Sequence, residues 1–262
     1  MTQTYLQAGL RNNRLIRWTD NCMPLKIYVA PFRWYKAKNE GYRYISMVHR
    51  ALDTWSNATG GKVQFQIVNT LHESQINLDW KRIDRKALGY CHFSFDNGGR
   101  LYSAEIQIGL SDGLIHANYM NEDEVYHTIL HEVGHALGLG HSRDKSDLMY
   151  TPHQYGVVNL SPNDVATINW LYKFPYGSTP EEISAKYGLN MKNIDEFIDK
   201  ISQSKMKSEF ERVKDSITIP RKDLQKEQEN IAELKKYHLS LQNIQISHDL
   251  QDYIRKTNLE NE

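Results

Sequence analysis

The sequence is short of several things, and each shortage excludes a class of protein. Of its 262 residues only two are cysteine, Cys22 and Cys91. That is too few for a disulfide framework, and their spacing does not suit a cysteine-based zinc site. They are either one bridge or two small apolar side chains. Neither sign of charge is in excess, with 32 basic and 32 acidic residues, which excludes the basic footprint of a nucleic-acid or anionic-membrane binder. No apolar run approaches the roughly 18 residues of a membrane-spanning helix. The opening residues, Met1 to Leu10, lack the apolar core of a secretory leader. No signal peptide is therefore expected, and on sequence alone the chain reads as cytoplasmic.

What is present is ordinary globular usage, 40% apolar and 24% charged. The chain is not uniform, however. From Glu181 to the end 30 of 82 residues are charged, against 34 of the first 180, and all five tryptophans lie at or before Trp170. The Phe174–Pro175–Tyr176–Gly177–Ser178–Thr179–Pro180 stretch carries the punctuation expected of a boundary. Three parts follow: a tail at 1–13, a main domain at 14–177, and a charged helical accessory region at 178–262.

Within the main domain Leu25–Ala30 reads as a strand. Ile45, Val48, Leu52 and Trp55 recur at helical spacing before Gly60–Gly61. Val63, Phe65 and Ile67 alternate with polar residues, as in a half-buried strand. Gln75–Trp80 and Ala104–Gly109 are further strands. Asn121 and Glu124 are spaced as a capping box for a helix running through Ala136, and a last helix starts at Ser161–Pro162. The fold class is α+β, a twisted mixed sheet with three helices. In the accessory region Ile194, Phe197, Ile198 and Ile201 mark one helix, and Leu224, Ile231, Leu234 and Leu241 another.

The chemistry is concentrated in His131-Glu132-Val133-Gly134-His135-Ala136-Leu137-Gly138-Leu139-Gly140-His141. On a helix His131 and His135 are one turn apart on one face, so two imidazoles converge on one ion. Gly138 can adopt a left-handed conformation, end the helix and return the chain so that His141 becomes a third ligand. Three protein ligands leave a fourth position for water, the arrangement of a catalytic zinc. Glu132, beside the first ligand, is placed to serve as general base. His127 falls on the same face but a further turn, about 5.4 Å, along the axis, and reads as a packed residue.

These residues resemble the metzincin metallopeptidases and, within them, the matrixins. Ser142 follows the third histidine as matrixins favour, and Met149, in Ser146–Asp147–Leu148–Met149–Tyr150, matches the family's methionine turn. The resemblance covers about residues 14–176, through Trp18, Pro24–Val29, Ala51–Trp55, Val63–Phe65 and Leu160–Tyr172. It implies a zinc-dependent endopeptidase, a hydrolase that cleaves protein or peptide substrates with one catalytic Zn2+ and no covalent intermediate. It also implies that Tyr102–Gly109 is the edge strand that holds substrate. Ala104 and Ile106 would then contact the peptide, and Tyr150, Pro152 and Tyr155 would border the pocket after the scissile bond, with an apolar preference. The alternative is a catalytically silent zinc-binding protein that recruits a partner through 178–262.

Second ions are not called for. Gln107 stands where relatives carry a structural-zinc histidine, leaving only His72 and His92. Asp96, Asn97 and Gly98–Gly99 suit a calcium loop or, more commonly, a plain tight turn. The inhibitory cysteine peptide of many matrixins has no counterpart, although Cys22 offers a thiolate that could mask the zinc, and the enzyme is expected to be made in, or processed to, an active form. Relatives are mostly secreted, which leaves the compartment open.

Overall fold

The computed structural model describes residues 3–32, 40–82, 88–110, 122–154 and 156–216. Its elements are α1 (Leu6–Gly9), β1 (Leu25–Val29), α2 (Glu40–Ala58), β2 (Phe65–Val68), β3 (Ile76–Arg82), β4 (Gly89–Phe95), β5 (Leu101–Leu110), α3 (Glu122–Ala136), α4 (Pro162–Leu171), α5 (Pro180–Ala185) and α6 (Ile194–Ser216). The strands form one sheet in the order β2-β1-β3-β5-β4, parallel except for β4, which pairs antiparallel with β5. This is the expected α+β, metzincin-type architecture.

Periodicity explains how the layers join. Val48, Ala51, Leu52 and Trp55 line the inner face of α2 and are buried, and the Trp55 indole N–H donates to Leu130 O at 2.9 Å, fixing α2 to α3. The α2 helix ends before Gly60 and Gly61, both with positive φ. Ile76, Leu78, Ala104, Ile106 and Ile108 supply the buried face of the sheet. Ser161 caps α4 in a reciprocal box with Asp164, and Pro162 stands at its first position. Asn121, read as the cap of α3, lies outside the described residues, as does the helix expected around Leu224–Leu241.

Sheet order corrects one expectation. The strand containing Ala104 and Ile106 is interior: Ala104 is paired with Ile76 of β3 on one side and Phe93 of β4 on the other. Its backbone groups are already engaged by two neighbours, and both side chains are buried in the core. Neither residue can contact a substrate strand. The edge belongs to β4, whose alternation of half-buried Gly89, Cys91 and Phe93 with exposed Tyr90 and His92 is diluted by glycine, cysteine and histidine.

The compact unit runs from Met1 to Ser202, with the rest of the chain as a second unit, of which the described part is the end of α6. The first unit therefore extends past 177. Ile183, Ile194, Phe197 and Ile198 are buried in the same core as Phe174, and apolar burial at that helical spacing is enough to dock a charged segment. The residues set apart as a tail are also part of this unit. Tyr5 and Leu6 are buried, and Asp195 of α6 accepts hydrogen bonds from the Thr4 hydroxyl and the amides of Leu6 and Gln7 at 2.7, 2.8 and 3.1 Å. Cys22 and Cys91 are both free.

Candidate active site

His131 and His135 project from one face of α3. Gly138, at φ 101°, turns the chain so that His141 comes back to them. A side chain there would be strained, and its Cβ would lie 2.3 Å from Ile16 O. One ligand atom from each of the three histidines lies within 4.8 Å of the others.

Hydrogen bonds decide which atoms face inward. His131 Nδ1 lies 2.8 Å from Leu148 O and His135 Nδ1 lies 2.8 Å from Leu139 O. A carbonyl can only accept, so each Nδ1 carries the proton and each Nε2 presents a lone pair. His135 Nε2 and His141 Nε2 are 3.1 Å apart, near the roughly 3.3 Å that two nitrogens at zinc-bond distance would span in a tetrahedral site. Burial pushes His131 down to about 3, helped by the neighbouring His135, and His135 down to about 4. His141 is also lowered, by burial and by the Arg11 charge. Neutral imidazoles with inward lone pairs are the form a divalent cation binds, so the donor set fits zinc.

Glu132 leaves α3 toward β4. It is buried, and a Cβ on Gly89 would lie 2.7 Å from its Oε1. Only glycine allows this approach of strand backbone to carboxyl. Burial raises Glu132 to about 8, and a bound dication would oppose that rise.

Met149 lies beneath the helix, fully buried, with its sulfur 2.5 Å from where a Gly134 Cβ would be. The turn around it is fastened by two carboxylates. Asp147 accepts from the Ser142 hydroxyl, from the Ser161 hydroxyl at 2.6 Å and from Asn163 Nδ2 at 3.1 Å. Asp164 accepts from the amides of Leu148 and Ser161, each at 2.8 Å, and from the Tyr5 hydroxyl at 2.6 Å. Ser142 N donates to Met149 O at 2.9 Å, tying the third-histidine loop to the methionine turn.

A family model described as matrixin matches residues 32–173. The chain is a matrixin. Among relatives of this matrixin, the protein named "Probable matrix metalloproteinase 095L" of Invertebrate iridescent virus 3 is 28% identical over 176 residues, covering 62% of this chain and 44% of the viral protein. Matrix metalloproteinase-19 of Homo sapiens is 34% identical over 143 residues, covering 48% of this chain and 25% of the human protein. The chain thus spans less than half the length of these relatives.

Other sequence candidates fall elsewhere. Among the described residues the three histidines are the only group of three or more His, Cys, Asp or Glu able to hold a metal, so His72, His92 and Cys22 join none. Asp96 Oδ1 is occupied by the amides of Gly98 and Arg100, and its Oδ2 by the Arg100 guanidinium, at 2.9 to 3.0 Å, which makes the loop a tight turn. His127 is packed as expected, with Nδ1 2.5 Å from Val157 O and its ring edge-on to His153 at 4.1 Å. Tyr150 is half-buried and Pro152 exposed, while Tyr155 lies outside the described residues. Sequence reading missed Gly89 and the supporting roles of Tyr5, Asp147 and Asp164. An isolated glycine in a strand pattern is a usable signal for close backbone approach, whereas Tyr5 offers none.

Proposed function

We propose that this matrixin is a zinc-dependent endopeptidase in which His131, His135 and His141 hold the ion, Glu132 is the general base and Met149 supports the site from below. The observation that carries the reading is Glu132, a buried carboxyl beside three converging imidazole lone pairs. A site built only to hold a metal has no use for it. Zinc bound there supplies a Lewis acid that polarises a peptide carbonyl and makes water a better acid. Glu132 takes a proton from the attacking water onto its carboxylate and delivers it to the departing amine nitrogen. The peptide lies extended along β4, where backbone pairing orients it without regard to most side chains. Tyr150 and Pro152 border the cleft beyond Met149.

The test is zinc content and cleavage of a denatured protein, measured on wild type and Glu132→Ala. One zinc in each, with cleavage falling by at least about 10²-fold in the variant, is the expected result. Zinc in both and cleavage in neither would favour the silent binding protein.

A further inference from the structure

Arg11 precedes the residues that match the family model, yet the fold carries it to the candidate active site. Asn12 and Asn13, at φ 50° and 58°, form a tight turn, and Arg11 and Arg14 on either side exchange backbone hydrogen bonds of 3.0 and 2.9 Å. The preceding residues pack on the loop that delivers His141: a Cβ on Gly140 would meet Gly9 N at 2.6 Å. Packed backbone therefore holds the base of Arg11 near the third histidine. Its Nη1 donates to Leu10 O at 3.0 Å, and its guanidinium carbon lies 5.7 Å from the centre of the Phe93 ring on β4, within cation–π range. Its charge reaches His135 and His141.

Arg17 and Arg100 are each paired with an aspartate, whereas among the described residues no carboxylate pairs with Arg11. A guanidinium carries five N–H donors in a fork that matches a carboxylate, and Leu10 O and Ala8 O, at 3.0 and 3.4 Å from Nη1, engage at most two of them. A half-buried cation over an aromatic ring of the edge strand is a receptor for an acidic group.

We infer that Arg11 and Phe93 form a subsite selecting an acidic side chain in the bound peptide, an inference that rests on the endopeptidase reading. Gly89 and Phe93 share the half-buried side of β4. Gly89 abuts Glu132 and Phe93 lies by Arg11, so the two points are about 13 Å apart at ~3.3 Å per residue. A peptide strand added along β4 rises at the same rate, which puts the selected residue about three to five positions from the scissile bond.

The experiment uses the full zinc-loaded chain and fluorogenic peptides of one parent sequence. A single Glu is moved through each position on both sides of the cleaved bond, and each peptide has a Gln counterpart. At one position wild type should cleave the Glu peptide about fivefold faster in kcat/KM than the Gln peptide, a preference that shrinks as salt is raised. Arg11→Ala should bring that ratio to about one, Arg11→Lys should keep part of it, and Arg11→Glu should favour a Lys peptide at the same position. Each ratio is taken within one variant, so a general loss of stability does not enter it, and the salt effect needs no variant. Cleavage by wild type without any preferred position overturns the subsite and leaves the endopeptidase standing, as does a preference that survives in Arg11→Ala. No cleavage of any peptide overturns the endopeptidase reading and the subsite with it.

Discussion

The phenol of Tyr5 donates to Asp164 Oδ1 at 2.6 Å, and through that carboxylate Tyr5 supports His131. Asp164 Oδ2 holds the Leu148 amide, and Leu148 O receives the Nδ1 proton of His131. Asp164 is fully buried, so losing a donor leaves part of its charge uncompensated. Tyr5→Phe should lower stability by about 1–2 kcal/mol, read as a shift in the urea midpoint. Deleting residues 1–14 should lower both activity and stability; a many-fold rise in activity would instead mark the segment as inhibitory.

Gly134 tests the packing under the helix. A Cβ there would lie 2.5 Å from Met149 Sδ and 2.9 Å from Trp55 Cζ2. Trp55 is held by its bond to Leu130 O, leaving the methionine to give way. Gly134→Ala should cost about 1–3 kcal/mol as an overpacked core, and a Met149→Leu background should change that cost by altering the atom in contact. Equal stability of Gly134→Ala and wild type would show that the methionine turn yields easily.

Removing metal should destabilise as well as inactivate. Zinc binds the folded arrangement of three imidazoles far better than the open chain, so saturating metal adds about 1.4 kcal/mol for each tenfold excess over Kd. Chelation should abolish cleavage and lower Tm together, with zinc restoring both. Loss of activity at constant Tm would point to inhibition by the chelator itself.

The metal-free chain should be most stable near neutral pH. Burial pushes His131 down to about 3, and His135 and His153 down to about 4, from an ordinary 6.5, while it raises Glu132 from 4.5 to about 8. Below 6.5 the unfolded chain binds more protons at the three histidines, which outnumber the opposing Glu132, so stability falls as pH falls. Between 6.5 and 8 the folded chain keeps a Glu132 proton that the unfolded chain has lost, so stability falls as pH rises. Urea midpoints should peak near pH 6.5, and zinc should flatten the alkaline limb because a dication favours the carboxylate. A featureless profile from acid to alkaline would count against burial of these groups.

The convergence of the three histidines was legible because its geometry is local. Four residues on a helix put His131 and His135 together, and one glycine returns His141. Helix α4 was legible from Ser161 and Pro162 for the same reason. Strand order was not. That β5 is interior and β4 outermost depends on pairings between segments, and an alternating stretch looks the same in either place. Residues 4–9 were missed because two buried side chains, Tyr5 and Leu6, give no period to read. Their partners lie up to 191 positions away, and the first unit's reach to Ser202 hangs on four apolar side chains in a strongly charged segment.

The carboxylate of Asp195 that gathers Thr4, Leu6 and Gln7 has a consequence for biosynthesis. A ribosome makes residues 4–7 long before their partners, Asp164 and Asp195. The opening residues must wait, unsettled, while the sheet and α3 assemble around them. Only when α6 appears can the first segment be pinned against the His141 loop. The unit is then closed by the joining of two segments nearly 190 positions apart, an order of events that leaves it unfinished until α6 has been translated.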